Sequence, residues 1–338
     1  MRILLYEHLC ASPPGDAASG ALVREGAAML AAALADFRAA GGFELFFLWN
    51  QRRPAPAFAG RATMLRAGDD PFVAFRRGLG MVEAALAIAP EIDGLAVKAA
   101  RTIRLAGVRS LGIEPEGVAI CADKLALARR FPRLFPQTES SAAALEPADR
   151  VVVKPRFGAG ALFTAATTAA KAAETADRLR GEGANDLIFQ PWRTGETISI
   201  GALSSGGGKT FFLPAGRQRI DREPDANDSE TWRLRYAGGD LPAEDVWQAR
   251  SERLGRELLS GLPGMRGYLG IDMIMGESPD EDAIVDVNPR LTTSFAAYER
   301  LFPGFLGRWS ARGEVPRISR PLSKVGFTPV DLSPEWKG

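Results

Sequence analysis

Short apolar runs recur along the first third of the chain, separated by segments long enough to cross over a sheet. Residues 3–6, 43–49 and 83–89 have the length and the aliphatic and aromatic content of buried strands. Residues 21–30 carry apolar side chains three and four positions apart, which is the spacing of an amphipathic helix. Strands joined by helices in this way build a doubly wound parallel sheet. The pattern therefore predicts a small α/β domain over residues 1–115.

A second set of elements follows this domain. Asp123 is a suitable N-cap for a helix over residues 124–131, which Pro132 ends. The Ala-rich stretch at 166–180 is typical of a helix, and the polar segment 221–228 predicts an exposed, mobile loop. Runs of apolar and β-branched residues predict strands at 150–155, 187–190, 197–200, 268–275 and 283–288.

Composition limits the classes of partner and of site. The 42 Lys and Arg residues nearly balance the 41 Asp and Glu residues, so the long-range positive field that attracts nucleic acids or anionic membranes is absent. The two cysteines, Cys10 and Cys121, cannot form a disulfide framework or a thiolate zinc site. The single histidine, His8, excludes a multi-histidine metal centre. An anionic ligand must therefore be held by a local group of residues.

Three absences narrow the interpretation further. The first apolar run meets an acid at Glu7 and lacks the h-region and cleavage site of a signal peptide. The uncharged stretch at 157–170 is shorter than the roughly 20 residues of a membrane span. The turn after the first predicted strand lacks the G-x-G-x-x-G spacing of dinucleotide-binding domains, which disfavours an NAD-dependent dehydrogenase. We therefore expect a cytoplasmic protein with a different ligand.

Two acidic residues fall inside apolar strands near the C-terminus. The segments 268–275 and 283–288 are joined by a turn-rich stretch, which predicts a hairpin. Folding this hairpin sets Asp272 nearly opposite Asp286, and alternation along the strand puts Asn288 on the same face as Asp286. Two carboxylates and an amide carbonyl suit Mg²⁺. Strand-end carboxylates can instead be merely solvated, but acids within apolar strands need compensation, which favours the metal.

A lysine, two glycines and an arginine complete the candidate residues. Lys154 ends a predicted strand, and Gly158 and Gly160 in the loop after it let backbone N–H groups approach a phosphate. This is not a Walker loop, and a merely flexible loop is the alternative, but the adjacent lysine favours a nucleotide clamp. Arg290, two residues beyond Asn288, can place its guanidinium beside the metal to stabilise a phosphoryl group, with a surface salt bridge as the alternative.

Taken in chain order, these segments resemble the ATP-grasp enzymes over residues 116–310. The motifs that carry the resemblance are Ala122-Asp123-Lys124, the strand and glycine loop at 151–160, Phe189-Gln190-Pro191-Trp192 with Gly195-Glu196, Gly270-Ile271-Asp272 and Asp286-Val287-Asn288-Pro289-Arg290. The resemblance implies an α/β protein with a doubly wound pre-ATP-grasp domain over residues 1–115, a two-lobed α+β ATP-grasp domain over 116–311 and a C-terminal tail over 312–338. We expect its nucleotide cleft to lie between antiparallel sheets.

The resemblance also implies roles for individual residues. It implies ATP as a ligand and two Mg²⁺ ions, which Mn²⁺ can replace, held by Asp272, Asp286 and Asn288. Arg290 and Lys154 would be catalytic. The residues that would contact ATP are Lys124, Lys154, Gly158, Gly160, Gln190, Pro191, Trp192 and Glu196. Two positions depart from the family pattern. A glutamate is usual at position 286, so bridging of both metals is less secure, and an acid is common at position 190, where an amide can still accept from adenine.

A narrower resemblance extends outside the nucleotide site. The chain is similar to the tyramine–L-glutamate ligases of methanofuran biosynthesis at Tyr6-Glu7 and at residues 19–30, 89–91, 217–218, 236–239 and 288–294. This implies that ATP phosphorylates the γ-carboxylate of glutamate and that an amine attacks the acyl phosphate. Because the amine must lose a proton, Glu7 or Glu91 is a candidate base and substrate residue, although both also suit structural roles. Arg217 is a third candidate substrate residue.

Other functions remain compatible with these motifs. The same fold could couple a different acid and amine, transfer a phosphoryl group without ligation, or bind a nucleotide without turnover. In every case we expect small-molecule partners rather than nucleic acid or a membrane, and the resemblance leaves a homodimer open.

Overall fold

A computed structural model, which describes residues 1–328 apart from positions 16, 147, 208, 227, 263, 320 and 321, shows a five-stranded parallel sheet in the first third of the chain. Its strands, in the spatial order β3-β2-β1-β4-β5, are β1 (Arg2–Glu7), β2 (Glu44–Asn50), β3 (Thr63–Ala67), β4 (Ala84–Ile88) and β5 (Arg109–Ser110). The helices are α1 (His8–Ala11), α2 (Ala17–Ala40), α3 (Pro71–Leu79) and α4 (Leu95–Leu105). The predicted doubly wound α/β fold is confirmed. The end of the predicted tail, residues 329–338, lies outside the described residues.

The central strand β1 is buried on both faces because helices cover both sides of the sheet. Its residues Ile3, Leu4, Leu5 and Tyr6 are all fully buried, which explains why this strand is a continuous apolar run rather than an alternating one. The ring of Tyr6 stacks on Phe75 of α3 with 3.9 Å between centroids. The apolar runs that predicted the strands therefore form the core of this part of the fold.

The rest of the chain forms a ten-stranded antiparallel sheet with flanking helices. The strands are β6 (Arg150–Pro155), β7 (Ala165–Thr168), β8 (Leu187–Pro191), β9 (Glu196–Ser205), β10 (Thr210–Phe212), β11 (Gly216–Asp225), β12 (Asp228–Leu241), β13 (Arg266–Met275), β14 (Ala283–Asn288) and β15 (Val325–Phe327). The helices are α5 (Pro115–Ala122), α6 (Lys124–Arg130), α7 (Ala172–Gly181), α8 (Asp245–Ser260), α9 (Phe295–Leu301) and α10 (Phe305–Arg312). No described helix has both the length and the apolar sequence that a bilayer crossing requires.

One hydrogen-bonded path, β14-β13-β9-β11-β12-β7-β6-β8, connects the two halves of this sheet. This corrects the expectation of a cleft between separate antiparallel sheets. The long hairpin of β11 and β12 joins the halves through narrow contacts: β11 pairs with β9 only at Gly216 and Arg217, and β12 pairs with β7 only at Trp232 and Arg233. Residues of both halves line the cavity described below.

The helix predicted over residues 166–180 begins later than expected. Residues 165–168 form β7, and α7 starts at Ala172. Ala165 and Ala166 are fully buried and pair with β6 on one side and β12 on the other. Tertiary strand pairing therefore overrides the helix propensity of alanine at these positions.

The segment 221–228 is exposed at residues 221–224, as predicted, but it forms part of a strand hairpin and not a loop. Its described residues belong to the β11 and β12 hairpin, while position 227 lies outside the described residues. Cross-strand ion pairs hold this end of the hairpin together, with Arg233 Nε 2.6 Å from Asp225 Oδ2 and Arg235 Nη2 3.2 Å from Asp221 Oδ2. The charges that suggested a solvated loop are therefore paired between strands.

The C-terminal helix α10 packs on α2 through a buried carboxylate. Asp36 Oδ2 accepts a hydrogen bond from the backbone N–H of Gly307 at 2.8 Å, and Asp36 Oδ1 has no hydrogen-bond partner among the described residues. A Cβ at Gly307 would lie 2.5 Å from Ala40 Cβ, so the two helices are in close contact. Burial raises the pKa of Asp36 to about 7, although the N–H groups of α10 oppose the shift.

This raised pKa makes stability depend on pH. The folded chain binds the Asp36 proton more tightly than the unfolded chain, so its contribution to stability falls as pH rises from about 4 to about 7 and is fully lost above that range. We expect Asp36→Asn to keep the acceptor for Gly307 and remove the charge. Its melting temperature should therefore rise relative to wild type between pH 5 and pH 8, measured by scanning calorimetry. Asp177→Asn, at an exposed ion pair, is the control, and an unchanged difference between the two pH values would contradict this account.

Candidate active site

The hairpin of β13 and β14 brings together the three predicted metal ligands. Asp272 pairs directly with Asp286, as the folded hairpin predicted, and Gly270 pairs with Asn288. Asn288 Nδ2 donates a hydrogen bond to Asp272 Oδ2 at 2.9 Å. Burial, with a further contribution from the charge of Asp286, raises the pKa of Asp272 to about 7. Two carboxylates therefore lie on paired strands, and burial disfavours the charged form of Asp272.

A divalent cation fits this set of donors. Asp286 Oδ1 lies 3.2 Å from Lys124 Nζ, whereas Asp272 accepts hydrogen bonds from the side-chain amides of Gln218 and Asn288. The described residues contain no cluster of three or more His, Cys, Asp or Glu side chains that could hold a metal, so the donors here are two carboxylates and one amide oxygen. Mg²⁺ binds through such hard oxygen ligands together with water and phosphate oxygens. Asp272, Asp286 and Asn288 are the residues that would hold it.

Two lysines face this hairpin from different elements. Lys124 is the first residue of α6, whose N-terminus is capped by Asp123, and its Nζ donates to the carbonyl of Gly158 at 3.0 Å. Lys154 lies on β6, and its Nζ donates to the carbonyl of Val285 at 3.0 Å. Burial lowers the pKa of Lys154 to about 8, although nearby carboxylates oppose the shift. Both lysines are buried and line the same cavity as the acids.

The glycine loop after β6 packs against α2. Gly160 has a φ of +64°, a conformation that favours glycine, and a Cβ there would lie 2.6 Å from Leu22 Cδ2. Gly158 is in close contact with Pro155, where its Cβ would lie at 3.1 Å. The absence of side chains at both positions therefore lets the loop pack closely against Leu22 and Pro155, and both glycines line the cavity described below.

The strand β8 and the residues after it form another wall of the cavity. Gln190 is buried, and its Nε2 donates to Thr138 Oγ1 at 2.8 Å. The guanidinium of Arg222 lies 4.9 Å from the ring centroid of Trp192. Glu196 lies at the start of β9, about half exposed, with Oε2 3.3 Å from Arg217 Nη1. Arg217 does not line the cavity, so its predicted role as a substrate residue is not supported.

Arg290 is held by Glu91 in a buried ion pair. Its Nε donates to Glu91 Oε1 at 3.0 Å and its Nη2 donates to Glu91 Oε2 at 3.1 Å, and the two side chains are 11% and 2% exposed. The alternative of a surface salt bridge is therefore wrong. Glu91 follows β4, so the pair connects the parallel sheet to the end of β14. Because Glu91 is engaged in this pair and does not line the cavity, its predicted substrate role is not supported.

Glu7 has a structural role at the end of β1. Its carboxylate caps the short helix α1 by accepting a hydrogen bond from the N–H of Cys10 at 2.6 Å. It also packs against Gly26, where a Cβ would lie 2.5 Å from the Glu7 carboxyl carbon. Glu7 is outside the cavity lining. Its contacts therefore match the structural alternative and give no support to a contact with substrate.

These elements enclose a cavity of about 440 Å³. The predicted residues that line it are Lys124, Lys154, Gly158, Gly160, Gln190, Pro191, Trp192, Glu196, Asp272, Asp286, Asn288 and Arg290. The lining residues that sequence reasoning missed include Glu25, Gln218, Arg222, Tyr236, Thr293 and Ser294. Several of them lie in segments that carried the narrower resemblance, but nothing in the sequence showed that α2 and the β11 and β12 hairpin reach this cavity.

Comparison with known protein families gives two matches. Residues 121–294 match the ATP-grasp domain, and residues 43–118 match the pre ATP-grasp 3 domain. The first of these matches spans just over half of the chain.

Three individual proteins that this chain resembles share 23% sequence identity or less with it. The chain is 23% identical over 213 residues to tyramine–L-glutamate ligase from Methanocaldococcus fervens, a match that covers 63% of this chain and 60% of that relative's length. An ATP-grasp superfamily protein from Archaeoglobus fulgidus superposes with a TM-score of 0.69 at 20% identity, covering 96% of this chain and 91% of that one. N5-carboxyaminoimidazole synthetase from Staphylococcus aureus, complexed with ADP, superposes with a TM-score of 0.67 at 12% identity, covering 96% and 79%. The structural similarities show a shared fold.

The metal site leads to a binding prediction. In Asp272→Asn the site loses one of its two carboxylates. We therefore expect Mn²⁺ to bind at least about tenfold more weakly in the presence of ADP. Loss of a group that only supports a metal ligand already weakens metal binding by about that factor. Electron paramagnetic resonance of free Mn²⁺ measures this. Asp286→Glu should retain binding, and Asp221→Asn, on the exposed hairpin, is the matched control. Unchanged Mn²⁺ affinity in Asp272→Asn would rule out this site.

The buried ion pair leads to a stability prediction. Glu91→Ala leaves the Arg290 guanidinium buried without its partner, which should lower the free energy of unfolding by about 3–5 kcal/mol. The double variant Glu91→Ala with Arg290→Met removes the unpaired charge and should recover part of this loss. Urea denaturation of both single variants and the double variant measures the coupling. Strictly additive effects would show that the two side chains do not stabilise each other.

Proposed function

The chain belongs to the ATP-grasp family, and we propose that it is an ADP-forming ligase that joins a carboxylate to an amine. The observation that carries this proposal is the position of Lys124 and Lys154 opposite Asp272 and Asp286 in one cavity. Buried cations beside hard oxygen ligands suit a nucleoside triphosphate with its Mg²⁺. In this proposal residues 1–115 serve the acceptor side, residues 116–311 form the nucleotide-binding domain, and the tail begins at residue 312.

The first proposed step activates the carboxylate. A carboxylate oxygen of the substrate attacks the γ-phosphorus of ATP, the bond from that phosphorus to the β,γ-bridging oxygen breaks, and ADP leaves. Lys124 and Lys154 would offset the charge on the phosphates, and the backbone of the glycine loop would approach them. Mg²⁺, when bound by Asp272, Asp286 and Asn288, supplies further charge neutralisation at the phosphate oxygens. The product of this step is an acyl phosphate.

The second proposed step forms the amide. The neutral amine nitrogen attacks the acyl carbon, the bond from that carbon to the phosphate oxygen breaks, and the nitrogen loses one proton, which the departing phosphate can accept. Arg290 lines the cavity with its orientation set by Glu91, which suits it to donate hydrogen bonds to the tetrahedral oxyanion. This chemistry requires no nucleophilic side chain. It also requires no histidine, and His8 does not line the cavity.

We propose that the acid is the γ-carboxylate of L-glutamate and that the amine is tyramine. Similarity to the tyramine–L-glutamate ligase of M. fervens supports this pair and a place in methanofuran biosynthesis. Residues 19–30 also support it, because this segment carries the narrower resemblance and its Glu25 lines the cavity beside the nucleotide residues. Fold and nucleotide site alone do not determine the acceptor, so a different acid and amine, or phosphoryl transfer without ligation, are the alternatives that the assay must separate.

The proposal predicts a defined product. ATP, Mg²⁺, L-glutamate and tyramine should yield γ-glutamyltyramine with one ADP and one phosphate per amide. Mass spectrometry detects the amide, and an ADP-release assay measures the rate. Phenethylamine, which lacks the phenol hydroxyl of tyramine, should have a kcat/KM lower by about tenfold or more. A protein group that hydrogen-bonds this hydroxyl would be left without a partner, at a cost of about 1–3 kcal/mol. A phosphorylated product without amide would instead indicate a phosphotransferase. If the protein couples a different acid and amine but not glutamate and tyramine, the ligase proposal stands and the substrate assignment is wrong.

A variant pair tests the role of the cavity lysine. Lys154→Met removes a buried cation from the proposed phosphate site and should lower kcat by about 10²–10³-fold, as is typical for loss of a group that stabilises transition-state charge. Lys209→Met, at an exposed lysine, should behave as wild type. Near-normal ADP release by Lys154→Met would contradict the proposed role of this lysine.

A further inference from the structure

Glu25 is the acid of the cavity that the proposed reaction leaves without a role. It lies on α2, is half-buried and lines the cavity. In the described part of the chain its carboxylate makes no hydrogen bond and no ion pair. Burial raises the pKa of Glu25 to about 7, although the charges of Arg290 and Arg24 oppose the shift. A partly buried carboxylate without a partner costs free energy, which a ligand of opposite charge would offset.

The other acids of the lining already have partners. Asp286 lies 3.2 Å from Lys124, and Glu196 lies 3.3 Å from Arg217. Asp272 accepts hydrogen bonds from two side-chain amides. Of the acidic residues that line the cavity, Glu25 is therefore the one whose oxygens have no partner within the described residues.

Glu25 lies close to the loop that is proposed to hold the phosphates. A Cβ at Gly160 would be 3.7 Å from Glu25 Oε2 and 3.8 Å from Glu25 Oε1. Tyr236 also lines the cavity, and the charge of Glu25 contributes to raising the pKa of the Tyr236 phenol. Helix α2 therefore places a carboxylate next to the loop that is proposed to hold the phosphates.

We propose that Glu25 binds a primary ammonium group of a substrate. The inference rests on the proposed ligase function and names the residue that selects a charged substrate. An ammonium group supplies the compensating charge and three hydrogen-bond donors, whereas a phosphate would be repelled by the carboxylate. The ammonium has two sources in this reaction: the amino acid whose side-chain carboxylate is phosphorylated, and the attacking amine before it loses its proton.

The experiment compares each substrate with an analogue that lacks the ammonium group, in the wild type and in a variant in which Glu25 has lost its charge. Wild type, Glu25→Gln and the control Glu44→Gln, which alters an exposed glutamate at the start of β2, are compared by kcat/KM. One pair of substrates is L-glutamate against glutarate, which lacks the ammonium group. The other is tyramine against hydroxylamine, which is uncharged at neutral pH and traps an acyl phosphate as a hydroxamate.

Each source gives its own result. If Glu25 binds the amino acid, the preference for glutamate over glutarate falls by at least about tenfold in Glu25→Gln, the effect of losing one charge-assisted contact. If it binds the amine, the preference for tyramine over hydroxylamine falls by that factor while hydroxamate formation is unchanged. In both cases KM for ATP stays at the wild-type value and Glu44→Gln behaves as wild type. Unchanged preferences, or an equal loss with all substrates, would overturn the proposal.

Failure of the proposed function itself would look different. The wild type would then form neither amide nor hydroxamate from glutamate. Calorimetric titration of tyramine and of L-glutamate into the protein with ADP and Mg²⁺ still tests Glu25, because we expect one of them to bind the wild type and to bind Glu25→Gln at least about tenfold more weakly. Equal binding to both proteins, or binding of neither ligand to the wild type, would overturn the proposal.

Discussion

The pairing of Asp272 with Asp286 across the β13 and β14 hairpin is the constraint on which the cavity depends. It holds two carboxylates side by side, and like charges at this separation are unfavourable unless other groups compensate them. The surrounding structure supplies that compensation: Lys124 lies beside Asp286, and two amides donate to Asp272. A site built in this way favours ligands that bring positive charge to the acids and negative charge to the lysines, as a metal–nucleotide complex does.

The parallel sheet contributes to the same site through a second buried interaction. Glu91 orients Arg290 in a two-point ion pair, so a guanidinium at the end of β14 is positioned by a carboxylate that follows β4. Helix α2 adds a further link, because it buries Asp36 against α10 and presents Glu25 to the cavity. The N-terminal part of the fold is therefore both a structural support for the cavity and one of its walls.

The β11 and β12 hairpin gives the cavity residues that no motif indicated. Gln218 donates to Asp272, the guanidinium of Arg222 lies over the ring of Trp192, and Tyr236 accepts a hydrogen bond from Thr293. The hairpin also makes the two halves of the antiparallel sheet continuous. Its polar segment 221–228 suggested a loop, because the ion pairs that hold the hairpin form between strands and cannot be identified until the strands are placed together.

The sequence alone determined the features that depend on local periodicity and short-range spacing. Alternation along β14 was enough to place Asn288 on the face of Asp286, because the strand period is two, and folding the chain about the turn between the two strands was enough to set Asp272 opposite Asp286. The order of the motifs along the chain then indicated Lys124, Lys154 and the glycine loop as candidate nucleotide contacts, and all of them line the cavity. Only the tertiary structure decided that Ala165 joins a strand, that Glu91 and Glu7 serve structural partners, and that Glu25 reaches the cavity. These outcomes depend on contacts between residues far apart in the chain, where burial and charge pairing outweigh local preference.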